Sequence, residues 1–324
     1  MPSRHIWDDP FLKKLYPGLK PGFFVDVTSR MFKSDNTMGR WLTFLFCSLA
    51  LVACEKDIDI DLNDTEPALV VDGSIENGVP PTVVLSKSLD YFGAISTEIL
   101  LSSFVRKANV SVTEGSKTYV LWEDSVKIAD NIYFYFYSND TLVGTINSSY
   151  QLKIEAGGKV YTASTTIPVI TRRIDSLWSE KANIQDDSNL VRMMIKATDR
   201  PGFGDYVRYF TKTNSEPFYP GFNSVFDDQV IDGKTYTIPV DRGLNKNEDN
   251  SDTDLYFHKG DTATLKLCNI DKANFDFWRT FEFNFQSIGN PFSNPTKVIN
   301  NVSNGALGYF GGYAAQYRTI IIPK

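Results

Sequence analysis

From residue 67 onward, apolar and polar positions alternate in short runs broken by Gly, Pro, Asn and Asp. Period two marks a strand with one buried face, because successive side chains of an extended chain point to opposite sides. PALVVDGSI (67–75), TVVLSKSLD (82–90) and NIYFYFYS (131–138) read this way. Two alternating runs flank Glu114-Gly115 within 108–124 and two more flank Gly157-Gly158 within 150–168, and each pair predicts a hairpin. Such density predicts an immunoglobulin- or transthyretin-like β-sandwich over 67–168, closed by Pro168. In IYFYFY, alternation places Tyr133, Tyr135 and Tyr137 on one face and Phe134 and Phe136 on the other.

A second β-rich domain is expected over 172–324, from runs at 172–180, 189–199, 205–214, 233–243, 262–270 and 317–322. The stretch 244–254 is polar and reads as an exposed loop. One segment breaks the alternation. In DKANFDFWRTFEFNFQS (271–287), Asp271 suits an N-cap, and Phe275, Trp278, Phe281 or Glu282, and Phe285 recur at three-to-four spacing. This predicts one amphipathic helix whose aromatic stripe covers a sheet. The fold class is therefore all-β, mainly antiparallel: a sandwich followed by a β-rich domain with one helix. Gly305, Gly308, Gly311 and Gly312 do not carry a strand into a helix, so close backbone packing or a tight bend is expected rather than a nucleotide loop.

Upstream, the apolar run 41–53 is shorter than the ~20 residues a membrane-spanning helix needs. Met38-Gly39-Arg40 precedes it and Leu51-Val52-Ala53-Cys54 ends it, a layout that resembles a lipoprotein signal with a lipid-accepting cysteine. The expected organisation is an upstream segment 1–37 left outside the mature protein, with translation starting at Met38 or Met31. A signal peptide 38–53 and an acidic tether 54–66 follow. Lipidation is expected at Cys54, and two or three acyl chains would anchor the chain permanently without a transmembrane helix.

Composition narrows the chemistry. The formal net charge is −6, and residues 1–53 hold seven of the 33 basic but four of the 39 acidic residues, so the mature chain is more acidic still. Nucleic acid is thereby a poor partner. Of three cysteines, Cys47 lies in the signal, Cys54 is the lipid site, and Cys268 is left alone in an apolar strand pattern, where it reads as a small buried hydrophobe. Of two histidines only His258 is in the mature chain, which excludes a multi-histidine metal site. In DNSDTD (249–254) the oxygen side chains alternate as in a calcium loop, but Asp254 stands where Gly is required and Gly260 where a bidentate Glu is required. No cofactor and no metal site is read from the sequence.

The cysteine with its acidic tether, LVVDGSI with VVLSKS soon after, YQLKIEAGGKVYTASTTIP leading into RRIDSLW, VFDDQVIDGKTY and the closing NPFSNPT...NVSNGALGYFGGY together resemble the Bacteroidota lipoprotein family catalogued as domain of unknown function 4249. The resemblance spans nearly all of the mature chain. It implies an envelope lipoprotein, often encoded beside TonB-dependent outer-membrane receptors, and carries no catalytic residues across.

The expected function is a non-enzymatic outer-membrane lipoprotein, exposed at the cell surface, that captures a ligand or partners a TonB-dependent receptor. The alternatives are a structural or adhesive surface protein and a hydrolase using a carboxylate pair such as Asp227 and Asp228, whose adjacency on a strand would aim them at opposite faces. The candidate contact surface is EPFYPGFNSVF (216–226), where Pro and Gly are expected to hold Phe218, Tyr219 and Phe222 out on a loop. Ser125, Thr141, Ser176 and Thr262 each follow Asp and precede an apolar residue, a triplet that resembles Bacteroidota O-glycosylation sites.

Overall fold

The structure is a computed structural model that describes residues 67–324, apart from 90–95, 131, 183, 185, 186, 188, 247, 249, 289, 291 and 295. Cys54, the signal and the tether lie outside the described residues. Among those described, the chain is mainly β, with large, mostly antiparallel sheets and two α-helices. Neither helix is long and apolar enough to cross a membrane.

The first block forms β1 (Leu69–Glu76), β2 (Thr82–Lys87), β3 (Asn109–Glu114), β4 (Lys117–Ala129), β5 (Ile132–Ser138), β6 (Ser149–Ala156) and β7 (Lys159–Thr166). Both expected hairpins are present, with Gly115, Gly157 and Gly158 at positive φ. Between β2 and β3 lies α1 (Thr97–Ser103), which the period-two pattern did not predict; Ser96 caps it, accepting from Ile99 N at 3.3 Å.

The second block forms β8 (Arg173–Lys181), β9 (Leu190–Thr198), β10 (Tyr206–Thr213), β11 (Tyr219–Phe226), β12 (Thr235–Val240), β13 (Phe257–His258), β14 (Thr262–Ile270), α2 (Lys272–Ser287) and β15 (Leu307–Ile321). A single sheet crosses the two blocks, in the order β11-β10-β14-β15-β1-β2-β5-β4-β3-β6-β7. In a second, smaller sheet β9 pairs with β8 along one edge and with β12 and β13 along the other.

The seam is β15, which runs antiparallel to β14 and parallel to β1. Gly308 to Ala315 are all buried. Phe310 and Ala314 join the core of the first block, while Tyr309, Tyr313 and Ala315 join the core under α2. The sequence reading placed a strand only at 317–322; the strand actually starts ten residues earlier. A strand buried on both faces loses the polar half of its alternation, and here glycine and alanine fill the tight positions. A Cβ on Gly312 would stand 2.6 Å from Thr166 O, and Gly308 and Gly311 are packed as closely, whereas Gly305 sits in open space at positive φ.

Asp271 caps α2, accepting from Asn274 N at 2.8 Å. Its other oxygen accepts from Thr165 Oγ1 (2.5 Å) and Thr166 N (3.0 Å), tying the helix start to β7. The buried side of α2 is made by Asn274, Phe275, Phe277 and Glu282, with Trp278 partly buried beside them. Phe281 and Phe285, assigned to the covering stripe, are exposed. Buried Glu282 takes the inward position instead because a polar partner, Ser224, waits for it.

Residues 216–226 are also corrected. They are mostly strand β11, at the edge of the large sheet, rather than a loop. An edge strand tolerates Pro220 because one row of its backbone donors needs no partner strand.

Candidate ligand groove

Along β10 the odd positions Val207, Tyr209, Thr211 and Thr213 are buried toward the small sheet, and Arg208 and Phe210 face α2. The space between that second face and α2 is a cavity of about 410 Å³. Phe210, Phe218, Trp278, Phe281, Tyr309 and Tyr313 supply its aromatic walls. A second cavity of about 340 Å³ shares Pro220 and Lys246 with the first and is bordered by Phe222 and Phe285. Together they form an aromatic groove running along β11 and α2.

Three cations border it: Arg208, Lys246 and Lys266. Arg208 is only 3% exposed, and is held by donation from Nε to Ser224 Oγ (3.1 Å) and from an Nη to Tyr313 Oη (3.2 Å). Ser224 in turn gives its amide (2.9 Å) and hydroxyl (2.5 Å) to Glu282. Trp278 Nε1 also donates to Tyr313 Oη, at 3.1 Å. This chain of polar groups satisfies a buried guanidinium and carboxylate that would each be costly alone.

Lys266 pairs with Glu76, which also accepts from Tyr317. Burial works to lower the Lys266 ammonium, but its neighbours, Glu76 among them, outweigh it and the group is raised. Lys246 differs. Burial lowers it, with Arg208 adding to the effect and Glu282 opposing it. Its ammonium lies 5.3 Å from the Phe285 ring. Burial pushes the Tyr317 hydroxyl up to about 12, helped by its bond to Glu76. Buried Cys268 lies on β14 beneath this region, its thiol likewise pushed up to about 12 by burial, which suppresses the reactive thiolate.

Of the three aromatic residues singled out in the sequence, Phe218 lines the first cavity and Phe222 the second. Tyr219 between them borders neither and backs onto Gly243, where a Cβ would meet Tyr219 O at 2.0 Å. Phe218 is half-buried, its ring 5.8 Å from that of Tyr317, and Phe222 is 45% exposed. Arg208, Lys246 and Lys266 were missed by sequence reading. For Arg208 the signal was a cation in phase with Phe210 on one face of β10; Lys246 in its loop and Lys266 on the aromatic-free β14 carried none.

A more apolar cleft of about 620 Å³ opens between the large and small sheets, lined by Ile195, Val207, Tyr209, Tyr236 and Ile238 with Arg172 among them, and reaches Phe275 and Arg279 of α2. The Asp227 and Asp228 pair does not converge: both follow the end of β11, Asp227 lines this cleft, and buried Asp228 accepts from Asp205 N at 3.0 Å. In the 249–254 stretch, Asp254 accepts from Ser251 N and Oγ, both at 2.7 Å, capping a short 3-10 turn. Ser125, Thr141, Ser176 and Thr262 are all exposed.

None of the curated proteins compared with the chain matches it. The sequence model of the family described as Domain of unknown function (DUF4249) matches residues 55–319. That match covers both blocks and the strand that joins them, so the chain belongs to this family.

Proposed function

We propose that this chain is a non-enzymatic lipoprotein, anchored through Cys54 to the outer membrane and exposed at the cell surface, which captures a ligand in the aromatic groove and partners a TonB-dependent receptor. The observation that carries the capture reading is the juxtaposition of the Phe218, Trp278 and Phe281 rings with the ammonium groups of Lys246 and Lys266. Rings stack on flat faces of sugars or aromatic ligands, and Lys246 with Glu76, Glu248 and Asp252 of the lining offers polar groups that can orient one.

A second observation supports a partner. Ahead of Tyr137, β5 pairs with β4 alone among the described strands, so the two strands extend as a ribbon, on which Phe104 packs against Phe134 and Tyr135. Trp122 is 67% and Ile128 62% exposed on it, with Val126 and Tyr133 also exposed. Apolar side chains gathered on such a ribbon suit a protein contact. The tyrosine row therefore divides along the strand, with Tyr137 buried and Tyr133 exposed.

Purification of the chain from detergent-solubilised native membranes tests the reading. The expected result is a diacylglycerol-modified Cys54 by mass spectrometry and a receptor in stoichiometric amount. An unmodified N-terminus refutes the anchor, and recovery of the chain without a receptor refutes the partnership. Turnover of a bound molecule by the isolated protein would favour the hydrolase alternative.

A further inference from the structure

Beside the 620 Å³ cleft, the ends of three strands bring together Asp199, Asp205 and Asp228, one carboxylate oxygen of each lying within 4.8 Å of the others. Asp199 directly follows β9 of the small sheet, Asp205 directly precedes β10 of the large one, and Asp228 follows β11. The turn between the first two is made possible by Gly202 and Gly204, both at positive φ, and is pinned where Gly202 N donates to Asp232 Oδ1 at 2.6 Å. Asp199 and Asp228 are 1% and 2% exposed.

The cluster has more negative charge than its neighbours neutralise. Arg172, itself buried, donates through Nε to Asp199 Oδ1 at 3.1 Å while its Nη2 is buried without a partner, and Arg200 is a second cation that acts on Asp205. The other Asp199 oxygen is buried and has no hydrogen-bond donor, and the same holds for Asp205 Oδ2. Buried carboxylates left without donors are costly, and the cost is relieved either by a shared proton or by a cation.

We infer that Asp199, Asp205 and Asp228 bind a hard divalent cation, calcium in particular, which clamps the small sheet to the large one beside the apolar cleft. The donor set is all oxygen, which selects against soft metals. Calcium takes six to eight oxygens at about 2.3–2.6 Å, so its coordination sphere is about 5 Å across and accommodates three oxygens at this spacing, with water filling the remainder. Magnesium, at about 2.1 Å, requires a tighter set. Arg172 lines the cleft while holding Asp199, so an ion here would fix one wall of the cleft through a single ion pair.

Calorimetric titration of calcium into the full chain, stripped with chelator, tests this. The expected result is one site per chain, a melting temperature that rises with calcium by mass action, and at least a tenfold weaker site in Asp228→Asn and Asp199→Asn. Should those buried variants fail to fold, Asp205→Asn and sensitised terbium luminescence on the wild-type chain report the same site. A folded wild-type chain with no heat and no melting shift at about 10 mM calcium overturns the inference, because mass action would reveal even a millimolar site. So does unchanged affinity in a folded variant. A melting temperature that rises on acidification and ignores calcium would show that the carboxylates share a proton instead.

Discussion

The guanidinium carbon of Arg208 lies 3.3 Å from the centre of the Trp278 ring, joining the middle of β10 to the helix across the groove. The cation also lies 4.7 Å from the Phe210 ring. Only a planar fork serves the ring, Ser224 and Tyr313 together, so Lys is a poor replacement. Arg208→Lys is expected to lower stability by roughly 2 kcal/mol, since it leaves buried acceptors unpaired. Chemical denaturation checks it; a loss near zero would mean that Glu282 is satisfied without Arg208.

The aromatic residues of β11 are expected to separate by role. Phe222 is exposed, so Phe222→Ser should change stability by no more than about 0.5 kcal/mol while weakening ligand capture or receptor association by roughly 1–3 kcal/mol. Phe218 packs on Tyr317 and lies 5.9 Å from the ammonium groups of both Lys212 and Lys266. Phe218→Ser should therefore also lower the melting temperature. Equal thermal effects of the two substitutions would place Phe222 in the core and move the contact surface elsewhere.

Glu123 provides a pH test. Burial acts to raise its carboxyl, but donation from Lys107 N at 2.5 Å and from Arg106 Nη2 at 2.6 Å outweighs it, leaving the group below the usual glutamate value. A depressed folded-state value contributes stability above the unfolded-state pKa of about 4.3, and that contribution is lost as pH falls through the folded value. Glu123→Gln is expected to cost roughly 1–2 kcal/mol at pH 7, with the difference from wild type closing below about pH 4. A pH-independent gap would point to lost packing rather than lost charge.

Gly308 has φ +100, and a Cβ there would lie 1.9 Å from Val71 O in the neighbouring β1. Gly308→Ala must both strain the backbone and push β15 away from β1, and is expected to cost more than about 3 kcal/mol. Gly305, also at positive φ but with open space around it, should cost less as Gly305→Ala. Comparison of their melting temperatures tests whether the seam, rather than backbone strain alone, sets the requirement.

Local chemistry was legible in the sequence where one element could declare itself. Asp271 and the change of period announced α2, and Gly115 and Gly157 announced hairpins. What depended on distant partners was hidden. β11 read as a loop because Pro220 and Gly221 are compatible with a strand only at an edge, and Gly221 makes room for the Tyr209 ring of β10, whose hydroxyl would stand 1.9 Å from a Cβ there. α1 has no buried residue, so no apolar stripe marked it. The carboxylate cluster escaped notice because its members come from three separate strand ends, and the adjacent pair Asp227 and Asp228 drew attention to the wrong partner. The groove was half visible: its rings were conspicuous, whereas Arg208 and Lys266 looked like ordinary polar positions of alternating strands.

The position of β15 also governs how the chain reaches its fold. β1 pairs on one side with β2 and on the other with β15, which is synthesised long after it. Until that strand arrives, β1 offers an open row of amides and carbonyls, and the first block lacks Phe310 and Ala314 from its core. Pairing between opposite ends of the sequence is slow because loop closure precedes any gain. A nascent chain would therefore be vulnerable to premature strand exchange with its neighbours, and C-terminal truncations ahead of Leu307 should damage the N-terminal block as severely as the one they shorten.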